Sequence, residues 1–453
     1  MEKAVTLALT ISETGKMLRQ KKISPTELTA LFLKQIETAE PLVKAWTVVQ
    51  ADAVLKRAKM LEETNYKESA YPPLFAIPYG AKDIIHTKKL ATEAGSKTLK
   101  GFVPEHDATV VRLLEQAGAI LLGKTTTTEF ASLESPPETR NPWHLAHTPG
   151  GSSTGSAAAV AGGMALFALG TQTSGSLSRP AAYNGLTVLK ASYGRISKAG
   201  IIPASWSLDH VGAITKTVED TVIVYNQLAG YDREDETTWS LPKQPLALRE
   251  EKGYKLGVIG DAYFEADPET MTVFQEAIKA LESLGFSVKT VFMPPGFEKS
   301  IEAQLTVLKA ETASYQYDNF QKNGHLLGEF LQQRIKEGLQ IQAHDYLQAQ
   351  QTRKVFRQEL HGLFDDVDVL LSPATPSAAP EGIGKTGSPA FITPFTNAGV
   401  PTLTLPMGYT KKKNLPLGMQ LISRHYEEQK LIDVGYAYQR ATDWHMKNPE
   451  FVQ

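Results

Sequence analysis

Strand-like and helix-like segments alternate along much of this chain, and that alternation restricts its fold more than any other feature. In HDATVVRLLEQAGAILLGKTTTTEFAS (106–132), Val110, Leu113, Leu114 and Ala117 share one helical face. Asp107 is placed to cap that helix, Gly118 to end it, and AILLG to follow as a short buried strand. The order repeats in KLGVIGD (255–261), PETMTVFQEAIKALESLG (268–285) and FSVKTVFM (286–293). Alternation of this kind predicts an α/β fold, a sheet covered by helices on both faces. Ser24-Pro25-Thr26-Glu27 starts an N-terminal helix, with Ser24 as cap, Pro25 in the first turn and Glu27 closing a capping box. A long polar helical stretch is expected over about 324–362, and DVDVLLSPATPSAAP (366–380) reads as a strand entering a proline-rich loop. Lys411-Lys412-Lys413 reads as a solvated turn between strands.

At 453 residues the chain is long enough for two or three domains or one large one, and it shows no fixed-period repeat and no low-complexity linker. A formal net charge of −2 gives no electrostatic reason to expect nucleic acid or an anionic membrane as partner. The absence of cysteine removes disulfides, thiolate metal sites and cysteine nucleophiles together. Reactive chemistry must then come from Ser, Thr, Lys, His or carboxylates. The most apolar run, AAAVAGGMALFALG (157–170), is shorter than the roughly 20 residues that span a bilayer, and MEKAVTLALTISE lacks a secretory core. A soluble, cytoplasmic protein is the expectation.

Three motifs compete for the chemistry. Gly118-Ala119-Ile120-Leu121-Leu122-Gly123-Lys124-Thr125 fits the phosphate-loop pattern G-x-x-x-x-G-K-[ST]. Such a loop follows a strand and opens a helix, whereas this segment follows a helix and is strand-like in its middle. Gly151-Ser152-Ser153-Thr154-Gly155 fits G-x-S-x-G, with Ser153 as the nucleophile of an α/β-hydrolase elbow. That elbow needs a strand directly before it, but TRNPWHLAHTP (139–149) stands there; His325, His344, His361, His425 and His445 follow in no telling context. The third reading joins GGSSTGS (150–156) to IPYGAKDIIHT (77–87) and ALGTQTSGSLSRPAAYNG (168–185). There a serine at the end of LFALGTQ has small neighbours whose backbone N–H groups can hold an oxyanion, and Lys82 supplies a base. Ile77, Ile84 and Ile85 are the apolar neighbours that would depress the pKa of that lysine.

GGSSTGSAAAVAGG followed by ALGTQTSGSLSRPAAYNGLTVLKASYGRISKAGIIPASWSLDHVGAITKTVED resembles the amidase signature family, serine hydrolases with a Ser-cisSer-Lys triad. IPYGAKDIIHT, NPWHLAHTPGG, DVLLSPATPSAAP, NAGVPTLTLPMGY, LPLGMQLIS and ATDWH extend the likeness over nearly the whole chain. The resemblance implies one large α/β/α domain over 1–453 with a central mixed sheet. N-terminal helices would occupy about 5–65, the signature core about 74–225, a variable substrate-pocket region about 226–365 and the closing strands and helix about 366–453. It places the triad on Lys82, Ser152 and Ser176, the two serines 24 residues apart, with Ser152 on a cis peptide. Ser176 would attack, Ser152 relay its proton to Lys82, and the backbone N–H groups of Thr173, Ser174, Gly175 and Ser176 hold the oxyanion. Gly150, Gly151, Ser153, Gln172 and Arg179 would shape the site, while Asp83 and Asp209 are read as structural.

The implied activity is hydrolysis of a small amide through a seryl acyl-enzyme, extending to esters or carbamates, without metal or other cofactor. Neither nucleic acid nor membrane is an expected partner; a homodimer is expected by analogy only. The common family form G-T-D-T-G-G-S-I-R-x-P-A is altered here: Gln172 replaces the aspartate, Ser174 the first glycine, and the arginine moves one place to Arg179. Ser174 is thereby expected to narrow the pocket beside the oxyanion loop. Substrate choice is assigned to 205–250 and 295–345, where TASYQYDNF (312–320) offers aromatic side chains for an aryl or long-chain amide or, more simply, for helix packing. The chain ends soon after ATDWH and lacks the segments expected of a tRNA-dependent amidotransferase component, so a stand-alone hydrolase is favoured over one that works only in a complex.

Overall fold

The structure, a computed structural model, describes residues 5–64, 71–132, 135–240 and 243–450. Among them, eleven strands form one sheet: β1 (Trp46–Val49), β2 (Pro78–Lys82), β3 (Ile120–Thr125), β4 (Phe167–Gln172), β5 (Thr187–Lys190), β6 (His210–Thr215), β7 (Lys255–Ile259), β8 (Ser287–Val291), β9 (Val369–Pro373), β10 (Thr402–Tyr409) and β11 (Pro416–Ile422). Their order is β1-β3-β2-β4-β6-β5-β10-β11-β9-β7-β8. Strands β3, β2 and β4 run parallel, as do β9, β7 and β8, and the pairs between these blocks are antiparallel. The sheet is therefore mixed, and the parallel β2 and β4 bring Lys82 and Gln172 to the same edge.

Alternation along the strands sends neighbouring side chains to opposite faces. Ala168, Val188 and Ile214 pack against Ala157, Val160 and Ala161 of the helix Thr154–Ala161. Leu169, Leu189 and Ala213 join the larger cluster with Val222 of the helix Val218–Leu228 and Leu431 of the helix Glu428–Ala441. Helices thus cover both faces, as the sequence predicts.

Ser24 and Glu27 form the expected capping box on the helix Pro25–Val43. Asp107 does not cap its helix: Thr109–Gln116 starts one residue later than that role requires, and the carboxylate accepts the N–H of Lys88 at 2.8 Å. The expected long helix over 324–362 is two, Glu329–Gly338 and Ala343–Leu363, behind an earlier one at Phe297–Asn323. That earlier helix was hidden because its apolar residues are interrupted by buried Ser300, Gln304, Glu311 and Thr312, which serve hydrogen bonds rather than packing. Lys411–Lys413 does form the turn between β10 and β11.

Candidate active site

The glycine-serine stretch runs from a loop into the helix Thr154–Ala161, which lies against β4. Gly150 has φ +81°, and a Cβ there would sit 2.9 Å from the backbone of Pro180. At Gly155 a Cβ would fall 2.1 Å from the Ala45 carbonyl oxygen, so this residue lets the helix touch the chain entering β1. The hydroxyls of the stretch are shared out. Ser153 Oγ donates to the Thr171 carbonyl at 3.1 Å and accepts the Thr171 N–H at 3.2 Å; Ser156 Oγ donates to the Leu169 carbonyl at 2.9 Å. Ser153 is fully buried and so occupied, and no histidine among the described residues hydrogen-bonds to it, which overturns its reading as an elbow nucleophile.

Ser152 differs. The Gly151–Ser152 peptide is cis, and Lys82 Nζ, at the end of β2, donates to Ser152 Oγ at 2.7 Å and to Thr171 Oγ1 at 2.8 Å. Lys82 is completely buried, and Ile77, Ile84 and Ile85 are buried as well. Desolvation brings its pKa down to about 7; the negative charge of Asp209 opposes that shift and the positive charge of Arg179 adds to it. Arg179, also completely buried, donates through Nε (3.2 Å) and Nη2 to the Gly151 carbonyl and through Nη1 to that of Gly387, fixing the peptide that carries Ser152.

Ser176 lies in the turn between β4 and the helix Ser178–Tyr183. Its carbonyl accepts the Ser153 N–H at 3.3 Å, which sets the two serine segments side by side, and its own hydroxyl makes no hydrogen bond among the described residues. Across 173–176 every carbonyl is engaged: Thr173 by Gln304 Nε2 (3.2 Å), Ser174 by Thr396 Oγ1 (2.6 Å), Gly175 by the Arg179 N–H (2.9 Å) and Ser176 by that of Ser153. None of the four N–H groups has an acceptor among the described residues. Gln172 supports the turn from within: its Oε1 accepts the N–H groups of Leu177 and Ser178 at 2.8 and 2.9 Å, and its Nε2 donates to Thr396 Oγ1 at 2.8 Å.

The P-loop-like segment is β3, and Lys124 lies buried in it, bonded to the Ile85 carbonyl and Thr92 Oγ1 and 3.5 Å from Asp83. Burial brings the pKa of Lys124 down to about 8 and that of Asp83 up to about 6, although each charge opposes the other's shift. Asp209 accepts Thr173 Oγ1 at 2.5 Å and the N–H groups of Ala204 and Ser205 at 2.9 and 3.0 Å. A cavity of about 530 Å³ adjoins Thr171 and Asp209, walled by Lys198, Trp206 and Glu236. Tyr315 and Tyr317 are half exposed and line no part of it. Thr171, Gln304 and Thr396 escaped the sequence reading; Thr171 alone carried a signal, its place at the end of the strand LFALGTQ just before the serine-glycine loop.

The family model described as Amidase matches residues 27–432. The chain belongs to the amidase family. A glutamyl-tRNA(Gln) amidotransferase subunit from Roseiflexus castenholzii is 36% identical to this amidase-family chain, over 98% of it and 97% of the relative. The crystal structure of the Thermotoga maritima protein of the same name superimposes with a TM-score of 0.83 at 30% identity, covering 99% of this chain and 98% of that one. The native peptide amidase of Stenotrophomonas maltophilia gives 0.85 at 28% identity over 98% of both chains. The amidase-family fold thus accounts for nearly the whole chain, and activity at carbon–nitrogen bonds comes with the family. Among the described residues no helix is long and apolar enough to cross a membrane, and no three His, Asp or Glu side chains are grouped to hold a metal ion.

Proposed function

We propose that this chain cleaves an amide carbon–nitrogen bond through an acyl-enzyme on Ser176, with Ser152 as proton relay and Lys82 as base. The observation that carries the reading is the 2.7 Å contact of a completely buried Lys82 with Ser152, on the cis peptide beside the Ser176 turn. An amide needs its attacking hydroxyl deprotonated and its departing nitrogen protonated, and one relay of intermediate basicity serves both steps. Ser176 Oγ attacks the carbonyl carbon and its proton passes through Ser152 to Lys82. The tetrahedral oxyanion accepts hydrogen bonds from the unused N–H groups of 173–176, and the relay then returns the proton to nitrogen as the C–N bond breaks. Water repeats the sequence on the ester, freeing the acid. Catalytic hydrogen bonds are commonly loose before substrate binds, so the unbonded Ser176 hydroxyl fits a nucleophile awaiting its partner.

The names of the curated relatives favour a second reading, in which the same acyl-enzyme serves an amidotransferase and the released ammonia is passed on within a complex. A panel of amides, anilides, esters and carbamates run on the purified chain, beside Ser176→Ala, separates the two. Turnover by the chain alone, lost in Ser176→Ala, supports the hydrolase. Inertness toward the whole panel, with activity appearing only once partner proteins are added, supports the second reading.

A further inference from the structure

Backbone N–H groups stabilise an oxyanion only when they are held in fixed directions before charge develops. The 173–176 loop gets part of that rigidity from a distant helix. Gln304, buried on the inner face of the helix Phe297–Asn323, directs Nε2 at the loop twice, to the Thr173 carbonyl at 3.2 Å and to Ser174 Oγ at 2.9 Å. Ser174 is the residue that stands where the common family form has glycine. Its side chain does not reach into free space to narrow a pocket; its hydroxyl is the acceptor that Gln304 uses.

The same helix holds the loop by a second route. Glu311 accepts Ser205 Oγ at 2.5 Å and the Ser207 N–H at 3.1 Å, and Thr312 Oγ1 donates to the Ala204 carbonyl at 2.9 Å. Ala204 and Ser205 in turn bind Asp209, which takes the Thr173 hydroxyl. Residues 304, 308, 311 and 312 recur at helical spacing, so one buried stripe sets the position of both the side chain and the carbonyl of Thr173.

We propose that Gln304 is a positioning residue of the oxyanion loop, acting through Ser174 and Thr173, so that the variable helical region tunes the chemical step directly. The inference rests on Ser176 being the nucleophile. A fluorophosphonate bearing a fluorophore tests it, because Ser176 Oγ bonds phosphorus, fluoride leaves, the hydroxyl proton passes to the relay, and the phosphoryl oxygen occupies the place of the oxyanion. The second-order labelling rate, its pH profile and the melting temperature are measured for wild type, Ser176→Ala, Gln304→Ala, Gln304→Glu, Ser174→Gly and the Gln304→Ala/Ser174→Gly double variant. Gln304→Ala is expected to slow labelling about tenfold or more, as misplacement of a catalytic group does. Gln304→Glu keeps the shape, loses the donors and should slow it equally. In Gln304→Ala, which adds no charge, the pH midpoint should stay in place, whereas general loosening of the site would hydrate Lys82 and raise it. In the Ser174→Gly background the loss should shrink, the coupling expected of residues in contact. If Ser176 is labelled and Gln304→Ala and Gln304→Glu both react within twofold of wild type, or if the pH midpoint of Gln304→Ala rises with the loss, the positioning role is refuted while the nucleophile stands. Wild-type labelling that is absent, or that persists in Ser176→Ala, removes the nucleophile and this inference with it.

Discussion

Lys82 offers the sharpest quantitative test, because its chemistry depends on a proton that burial has made easy to lose. A free lysine, with a pKa of about 10.4, is neutral in only about 0.04% of molecules at pH 7. With its pKa brought down to about 7, half of the Lys82 side chains are neutral there, falling to about a tenth at pH 6 and about a hundredth at pH 5. The displacement corresponds to a net disadvantage of roughly 5 kcal/mol for the ammonium form, led by desolvation of a side chain that water does not reach. The rate of fluorophosphonate labelling is therefore expected to rise about tenfold per pH unit between 5 and 6.5 and to level off above about 8. Asp209→Asn, which retains an oxygen for Thr173, should move the midpoint down, because the Asp209 charge opposes the depression. Arg179→Met should move it up, because the Arg179 charge favours the neutral amine. Stability carries the same sign: over about pH 7 to 10 only the unfolded chain keeps the Lys82 proton, so this residue's penalty to the fold is full below 7 and fades as pH rises. Lys82→Met should accordingly gain most in melting temperature, relative to wild type, below pH 7 and progressively less toward 10. A midpoint near 10, a flat profile across 6 to 8, or shifts of the opposite sign in the two variants would refute the reasoning.

Ser153→Ala should still be labelled at Ser176 while losing about 1–3 kcal/mol of stability in a denaturant titration, since it strips two partners from the backbone of Thr171. Lys124→Met leaves Asp83 buried without its cation and should cost about 3–5 kcal/mol, and neither ATP nor GTP should raise the melting temperature of the unaltered chain. Gly155→Ala drives a methyl group into the backbone of Ala45 and Thr126, and size-exclusion chromatography with circular dichroism should find little folded protein.

Much of the fold was open to reading because it depends on local patterns. The period of apolar residues marked β4, β7, β8 and β9, Ser24 to Glu27 announced a helix start, and the strand character of AILLG was enough to set aside a phosphate loop. A serine-glycine loop after β4 and Lys82 as a possible base were open to reading from the residues, whereas the assignment of roles to Lys82, Ser152 and Ser176 came from the resemblance to the amidase signature family. The helix Phe297–Asn323 was not legible, because polar side chains on its inner face are indistinguishable in sequence from solvated ones until their partners are known.

By itself, then, the order of residues determined which segments become strands and helices and which hydroxyls and amine stand at strand ends, for these follow from steric preference and spacing over a few neighbours. Only the folded chain decided that Lys82 loses contact with water, that Ser153 is spent on Thr171 while Ser152 meets the amine, and that Gln304 reaches the loop at Ser174 from 130 residues away. Desolvation and hydrogen-bond direction belong to the packing of distant segments, and they come into being only when the sheet brings those segments to one edge.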